Sequence, residues 1–344
     1  MPESDLVAEA LVLQTISDVL DPTTASVVSV SGASIIISTY NRAELLRKAL
    51  ESVQRLQVPE KWQAEILVID NNSTDHTAAV VRDSKQGPLP VRWILEMNQG
   101  VSHARNRGAS EAAFEHLIYF DDDELVDTSW LEAYAALQAA HHPDCVVGPV
   151  EPLFEQVPPK WMTSAILNPV TSSYSWKGPR EGLLPHTRAH EIPGGNFGVL
   201  RSVFIEVGGF HPGMLEGEDF EFGVRLVLSG KSVAYAPGCR IRHRIDRQKL
   251  SVVGLCARSK GWGATQRALM QLRGERLSAI AQLRLLLRLA RFFLRDIGYR
   301  LQNKEGHALE CKLETKRISG LLFAKASRHR NTGANHEREH ATGI

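Results

Sequence analysis

The sequence predicts an α/β protein with a mostly parallel central sheet, flanking helices and a helical extension toward the C-terminus. Three observations point there. Short apolar runs alternate with amphipathic stretches from Ser34 to Ala140, the rhythm of strands joined by right-handed helical crossovers. Turn residues stand between the runs, as in Asn71-Asn72-Ser73-Thr74-Asp75 and Gly87-Pro88, where the chain must change direction. The run Leu117-Ile118-Tyr119-Phe120 passes directly into Asp121-Asp122-Asp123-Glu124. That is how a buried parallel strand looks when its C-terminal end opens into a ligand site.

In chain order, residues 5–20 carry a helical pattern that ends at Asp21-Pro22 and form an appendage, residues 1–32. Ile35-Ile36-Ile37 is the first strand, and Asn41-Arg42-Ala43-Glu44 has capping-box character before a helix from Leu45 to Leu56. Glu65 to Asp70 is the second strand, followed by a helix reaching Asp83. Val91 to Leu95 is the third strand, with a helix from Val101 to Phe114. The strand ending in the aspartates is the fourth, and Ser129-Trp130-Leu131-Glu132 caps a helix to Ala140. After Cys145 to Gly148 the rhythm stops, and residues 151–195 lack clear periodicity, as functional loops do. Order returns with a strand at Asn196 to Leu200, a short helix closing at Gly208-Gly209, a helix from Glu218 to Leu228, and β-like runs at Ser232–Ala236 and Arg240–His243. Residues 33–245 thus make the main domain, split near residue 150 into halves 33–150 and 151–245. Residues 246–326 form a helical extension and 327–344 a polar, disordered tail.

Composition narrows the function classes. In 344 residues, 43% are hydrophobic, enough for a sizeable core. Lys+Arg 40 against Asp+Glu 39 leaves no global field that would favour nucleic acid. Cys145, Cys239, Cys256 and Cys311 have neither disulfide nor zinc spacing, which fits a reduced, cytoplasmic setting. The acidic start Met1-Pro2-Glu3-Ser4-Asp5 does not resemble a signal peptide, and no run is apolar enough to span a bilayer.

The aspartates are the centre of the chemistry. Adjacent carboxylates repel, and hard oxygen ligands suit Mg²⁺ or Mn²⁺ carrying a phosphorylated substrate. In an extended exit, alternation turns Asp121 and Asp123 toward one ligand and Asp122 elsewhere, making Asp122 the least important of the three. The competing reading is a solvated acidic loop at the next helix N-terminus.

The ordered series Ile37-Ser38-Thr39-Tyr40-Asn41-Arg42, Val68 to Asp75, Asn98-Gln99-Gly100 with Ala104-Arg105-Asn106-Arg107-Gly108, Phe120-Asp121-Asp122-Asp123, and Gly217-Glu218-Asp219 resembles the family-2 glycosyltransferases of the GT-A fold, over roughly residues 33–245. The resemblance implies a nucleotide-sugar donor, expected to be UDP-linked, and transfer with inversion to a hydroxyl of a glycan, lipid-linked or small-molecule acceptor. It implies donor binding by Thr39, Asn41, Asp70, Asn72, Arg105, Asp121 and Asp122 in the half 33–150. It gives Asp123 to the divalent metal, with Asp121 beside it, and Asp219 the role of general base. A sugar hydroxyl needs its proton removed in the transition state, and a positioned carboxylate does this. His243 is a further metal ligand by the same resemblance, or else a surface histidine in a basic strand. Asn41 serves the donor or caps a helix, Asp70 serves the ribose or shapes a turn, and Arg105 serves the nucleotide or lies on a helix surface.

The acceptor is expected in the half 151–245, at Trp161 and Trp176, whose rings could stack on a sugar, and at Gly195, Asn196 and Glu218. Arg284, Arg288, Arg291 and Arg295 recur at helical spacing among leucines and phenylalanines. This predicts peripheral contact of residues 280–300 with an anionic membrane, on its inner face, or a helix packed on the domain. Two competitors stay open: a nucleotidyltransferase acting on a sugar phosphate, and a non-catalytic sugar-nucleotide-binding protein.

Overall fold

The computed structural model describes residues 31–167, 181–184, 192–212, 214, 217–272 and 274–323. The helix expected over 5–20, Trp176 and the tail from 327 lie outside the described residues.

Four strands, β1 (Ser31–Thr39), β2 (Trp62–Asp70), β3 (Val91–Leu95) and β4 (His116–Asp121), form the first half of the sheet, joined by helices α1 (Ala43–Val53), α2 (Thr77–Ser84) and α3 (Val101–Glu111). β1 pairs with β4 and β2 with β3, both parallel. Helices cover the sheet, so the apolar runs are unbroken: Ile35, Ile36, Ile37 and Ile66 to Ile69 have no exposed surface. β5 (Glu124–Val126), α4 (Trp130–His141), β6 (Cys145–Val147), β7 (Val150–Phe154), the short α5 (Ser164–Leu167) and β8 (Gly182–Leu183) follow. Then come β9 (Asn196–Leu200), α6 (Arg201–Glu206), α7 (Glu218–Leu228), β10 (Val233–Tyr235) and β11 (Ile241–Ile245).

Among the described residues, eight strands make a central sheet in the order β3-β2-β1-β4-β9-β6-β10-β8. β9 runs antiparallel between β4 and β6. It places Phe197 opposite Tyr119, their rings stacked at 4.7 Å, and Phe204, Phe210 and Phe222 complete an aromatic cluster behind the strand. A second sheet, β5-β11-β7, sits beyond the end of β4. Its strand β7 runs into the stretch 151–195, where the sequence shows no strand period because four of its five residues, a proline among them, are only half-buried.

Helices α8 (Val252–Leu272), α9 (Ala279–Leu301) and α10 (Glu305–Phe323) make the C-terminal part. α8 and α10 approach backbone to backbone: a Cβ at Gly263 would strike the Arg317 carbonyl, and one at Gly320 the Lys260 carbonyl. A second small core of Ile166, Ile245, Leu250, Leu255, Leu309 and Leu313 ties these helices to β11 and α5.

Three local expectations are corrected. Asn41 does not cap α1: its Oδ1 accepts from Thr74 N at 2.7 Å, and the cap comes from Asp75, whose Oδ2 accepts from Ala43 N at 3.0 Å. Ser129 makes no side-chain cap either. The helix expected to reach Phe114 ends at Glu111, because Ala113 N and Phe114 N turn away to the Glu65 carboxylate and Ser34 hydroxyl.

Candidate active site

Parallel strands end on one edge of their sheet, so β1, β2 and β4 deliver Thr39, Asp70 and Asp121 to the same side, with Ser38 opposite Asp121 in register. Two loops form the rim at β1 and β2. Asn41 and Asn72 both take positive φ, 52° and 66°, a region asparagine tolerates. Asn41 N donates to Ser73 Oγ at 2.9 Å. Asp70 Oδ1 accepts from Ser73 N at 2.9 Å and Oδ2 from Trp93 Nε1 at 3.1 Å. Asn71, which sequence reasoning passed over, anchors the third loop: its Nδ2 donates to the Glu96 and Asn98 carbonyls and its Oδ1 accepts from Gly100 N. Gln99 Nε2 returns a bond to the Asn71 carbonyl.

The three aspartates diverge. The strand ends at Asp121, so the alternation that would aim Asp121 and Asp123 together holds no further, and Asp122-Asp123 form a turn into β5. Asp121 Oδ1 faces Arg105 Nη2 at 2.8 Å. Asp122 is not a bystander: it accepts from Thr39 Oγ1 at 2.8 Å and Arg42 Nη1 at 3.0 Å. Burial, with Asp123 and Asp121 nearby, raises its carboxyl to about 6 against the pull of Arg42. Asp123 Oδ2 meets Lys249 Nζ at 2.7 Å, and its Oδ1 lies 3.5 Å from His243 Nε2. Burial favours its neutral form, but the contacts with His243 and Lys249 overcome this and hold the carboxyl well below the usual carboxylate range.

The second group of carboxylates comes from α7. Gly217 precedes it with φ 76° and no room for a Cβ beside Thr265, so glycine is required at this N-terminus. Arg105, 4% exposed in its side chain, donates from Nη1 to Glu218 Oε1 at 2.6 Å, on the branch opposite Asp121. Burial disfavours its charge, yet Asp121, Glu218 and Asp219 together raise its pKa. Arg105 is therefore neither a surface residue nor a free nucleotide ligand: it is a buried fork between β4 and α7, stacked 5.4 Å from the Phe210 ring. Glu218, expected at the acceptor, is likewise buried in this pair.

Asp219 is half-buried, and its Oδ2 accepts from Gly194 N at 2.9 Å. Burial raises the Asp219 carboxyl, with Asp121 adding to the rise and Arg105 opposing it. Gly194 and Gly195 pass between acidic groups: a Cβ on Gly194 would come 2.9 Å from Asp219 Oδ2, and one on Gly195 would strike the Glu124 carboxylate. Glu124, not singled out in the sequence, is buried and accepts from Asp121 N at 2.9 Å; burial and Asp121 push its carboxyl well up, toward the neutral form.

Asn196 is corrected as an acceptor contact. It has no exposed surface, its Nδ2 donates to the Pro149 and Cys239 carbonyls, and its Oδ1 accepts from Trp130 Nε1 at 2.8 Å. Trp161 is 39% exposed, and its carbonyl stands near Gly306 at the start of α10.

Among the described residues, no three His, Cys, Asp or Glu side chains converge as a metal cluster. Asp123 and His243 nevertheless converge on one point, and a cation, the Lys249 ammonium, stands there. The imidazole nitrogen that faces the Asp123 carboxylate, Nε2, is also the one 3.1 Å from the Lys249 ammonium, and in its neutral, unprotonated form such a nitrogen ligates metals. One carboxylate and one imidazole fit Mn²⁺ or Mg²⁺ as a two-residue site whose other ligands are substrate phosphates and water.

The sequence profile of glycosyl transferase family 2 matches residues 34–208. The succinoglycan biosynthesis protein ExoM of Rhizobium meliloti is 23% identical over 235 residues, 68% of this chain and 74% of that one. Poly-beta-1,6-N-acetyl-D-glucosamine synthase of Staphylococcus epidermidis is 35% identical over 98 residues, 28% of this chain and only 23% of the synthase. Two solved structures share the fold. The mannosyltransferase from Pyrobaculum calidifontis, in complex with GDP-Man and Mn²⁺, superposes with TM-score 0.55 at 18% identity, covering 84% of this chain and 86% of that one. S. aureus TarS 1-349 in complex with UDP gives TM-score 0.52 at 14% identity, over 84% and 90%.

Proposed function

The chain belongs to glycosyl transferase family 2, and from that premise we propose that it transfers a sugar from a UDP-linked donor to an acceptor hydroxyl, with inversion. The observation that carries this is the Arg105 fork. One buried guanidinium holds Asp121, at the strand end where donors bind, and Glu218, whose neighbour is Asp219. A donor-side carboxylate and a candidate base are thereby fixed in one site. Of the solved relatives, one holds GDP-Man with Mn²⁺ and another UDP, which supports a nucleotide-sugar donor.

In this reading Thr39, Asn41, Asp70 and Asn72 form the rim that receives base and ribose, and Asp121 meets the donor. Asp122 fastens that rim to the strand end through Thr39 and Arg42. Asp219 accepts the proton of the attacking hydroxyl; its raised carboxyl makes it a stronger base than an ordinary aspartate. The glycines at 194 and 195 let the backbone pass directly against Asp219 and Glu124, where a side chain would collide. Asp123 and His243 would hold the divalent cation, which neutralises the charge of the departing diphosphate. The test is release of nucleoside diphosphate from a panel of nucleotide sugars with Mn²⁺, for the parent and Asp219→Asn. Pyrophosphate release from a nucleoside triphosphate, without cleavage of nucleotide sugars, would establish a nucleotidyltransferase instead. Nucleotide-sugar binding without any turnover would establish a binding protein.

The acceptor is a glycan or lipid-linked sugar. α9 supports placement at a cytoplasmic, anionic membrane face. None of its residues is buried, Leu283, Leu287, Leu294 and Leu301 are more than half exposed, and the arginines lie on the same helix. Leu287, Leu294, Arg291, Arg295 and Tyr299 line an open apolar groove of about 630 Å³, so lipid tails and anionic headgroups are each matched. Among the described residues no helix is long and apolar enough to cross a membrane.

A further inference from the structure

We propose that Lys249 serves the site twice: its ammonium stands at the cation position between Asp123 and His243, and binds the donor diphosphate once a divalent cation takes that position. The second half rests on the nucleotide-sugar reading above; the first does not.

Lys249 is placed, not stray. Its Nζ donates to Asp123 Oδ2 at 2.7 Å and to the Arg244 carbonyl at 3.2 Å, and it lies 3.1 Å from His243 Nε2, so each of the three positions around the ammonium has a polar neighbour. Its backbone is fixed as well, the amide donating to Asp246 Oδ1 at 2.7 Å in the turn after β11. The Asp123 carboxylate is 8% exposed and His243 12%, whereas Lys249 keeps 24% of its side chain open to solvent. The carboxylate and the imidazole are thus held in place, and the ammonium on its flexible four-carbon stem is the partner that can leave.

Two cations cannot share this point. A divalent ion bound to Asp123 and His243 would stand roughly 2.1 Å from each, overlapping an ammonium that now contacts the same two atoms and repelling it. Lys249 at 2.7 Å is the nearer of two cations on Asp123 Oδ2, with Arg42 Nη1 at 3.6 Å, so the lysine keeps the buried carboxylate paired and ordered until the exchange. The departing ammonium needs a new anion within reach of its stem. The diphosphate held by the same divalent ion supplies it, and lysine is a common point-charge ligand for phosphate. The exchange moves no covalent bond. It makes cation and donor binding cooperative, because the donor's phosphates receive the charge that the metal displaces.

The experiment titrates the full chain with Mn²⁺ alone by calorimetry, for the parent, Lys249→Met and Lys249→Arg, each checked for native folding by circular dichroism. Lys249→Met should bind Mn²⁺ about tenfold more tightly than the parent, and Lys249→Arg close to the parent, since it restores the competing charge. A second titration adds UDP at saturating Mn²⁺, where Lys249→Met should lose about tenfold in UDP affinity. Equal Mn²⁺ affinity in parent and Lys249→Met, or no Mn²⁺ binding by either, overturns the placeholder role. Unchanged UDP affinity in Lys249→Met overturns the phosphate role. A parent that exchanges Mn²⁺ as expected but binds neither UDP nor another nucleoside diphosphate overturns the transferase reading and leaves the cation exchange standing.

Discussion

Arg105 Nη1 stands 2.6 Å from Glu218 Oε1 and joins two positions 113 residues apart. Asp121 takes the other branch of the same guanidinium. The strand that ends in the aspartates and the helix that begins with the glutamate therefore cannot shift independently. The spacing between Asp121 and Asp219 is set by one side chain that meets neither solvent nor, in our reading, the sugar.

Removing that side chain leaves the buried Glu218 carboxylate, and the part-exposed Asp121, without this counter-charge. Arg105→Met should cost about 3–5 kcal/mol of folding stability, read as a lowered midpoint in urea unfolding. Arg105→Lys should fall between, because an ammonium lacks the planar fork that serves two carboxylates at once.

Asp219→Asn tests the proton acceptor with little change of shape. Turnover of a nucleotide-sugar donor should fall by about 10²–10⁴-fold, while UDP affinity with Mn²⁺ stays within about twofold of the parent. Unchanged turnover would remove Asp219 from the role.

The acid limb of the rate profile follows from the same group. A base works only when deprotonated, and burial raises the Asp219 carboxyl above the ordinary aspartate value of 3.8. Activity should therefore be lost as pH falls through a value above 3.8, and kcat/KM against pH measures it. A limb at or below that ordinary value would mean that another group takes the proton.

Asn196 offers a contrast within the segment expected to meet the acceptor. Asn196→Ala strips the partners from Trp130 Nε1 and from the Pro149 and Cys239 carbonyls. Leaving such groups unpaired should cost about 1–3 kcal/mol or more. Thermal unfolding should register the loss, with UDP affinity unchanged.

For α9, the double change Leu287→Glu with Leu294→Glu should abolish flotation with vesicles containing anionic lipid and leave UDP binding intact. Equal flotation of parent and variant, or of either with purely neutral vesicles, counts against the membrane placement.

Most of the sheet was legible in the sequence because buried parallel strands write themselves as unbroken apolar runs, as Ile35 to Ile37 and Leu117 to Phe120 do. Asp121 and Gly217-Glu218-Asp219 were singled out because their order along the chain matches a family pattern, and the structure brings them together on Arg105, with Glu218 buried in that pair rather than at an acceptor surface. What escaped was set by contacts across the chain. Lys249 reaches Asp123 over 126 residues, and no local pattern marks it. Glu124 reads as one more acid in a run; what sets it apart is the bond it accepts from Asp121 N and its place against Gly195, neither of which shows in the local pattern. Arg105 sits in a helix of mixed polarity, so its burial depended on Phe210 and α7 closing over it. The cap of α1 was misread because sequence proximity suggested Asn41 and Glu44, whereas Asp75, 32 residues from Ala43, holds the amide.

That exchange of partners between the first two loops also limits how this protein can be altered. Asn41 braces Ser73 and Thr74, and Asp75 returns the favour at the start of α1. Grafting either loop alone from a relative with a different base preference would bring a foreign surface against a lock cut for its original. With these loops receiving the base, as proposed above, a change of nucleotide by engineering or by descent has to carry both across together.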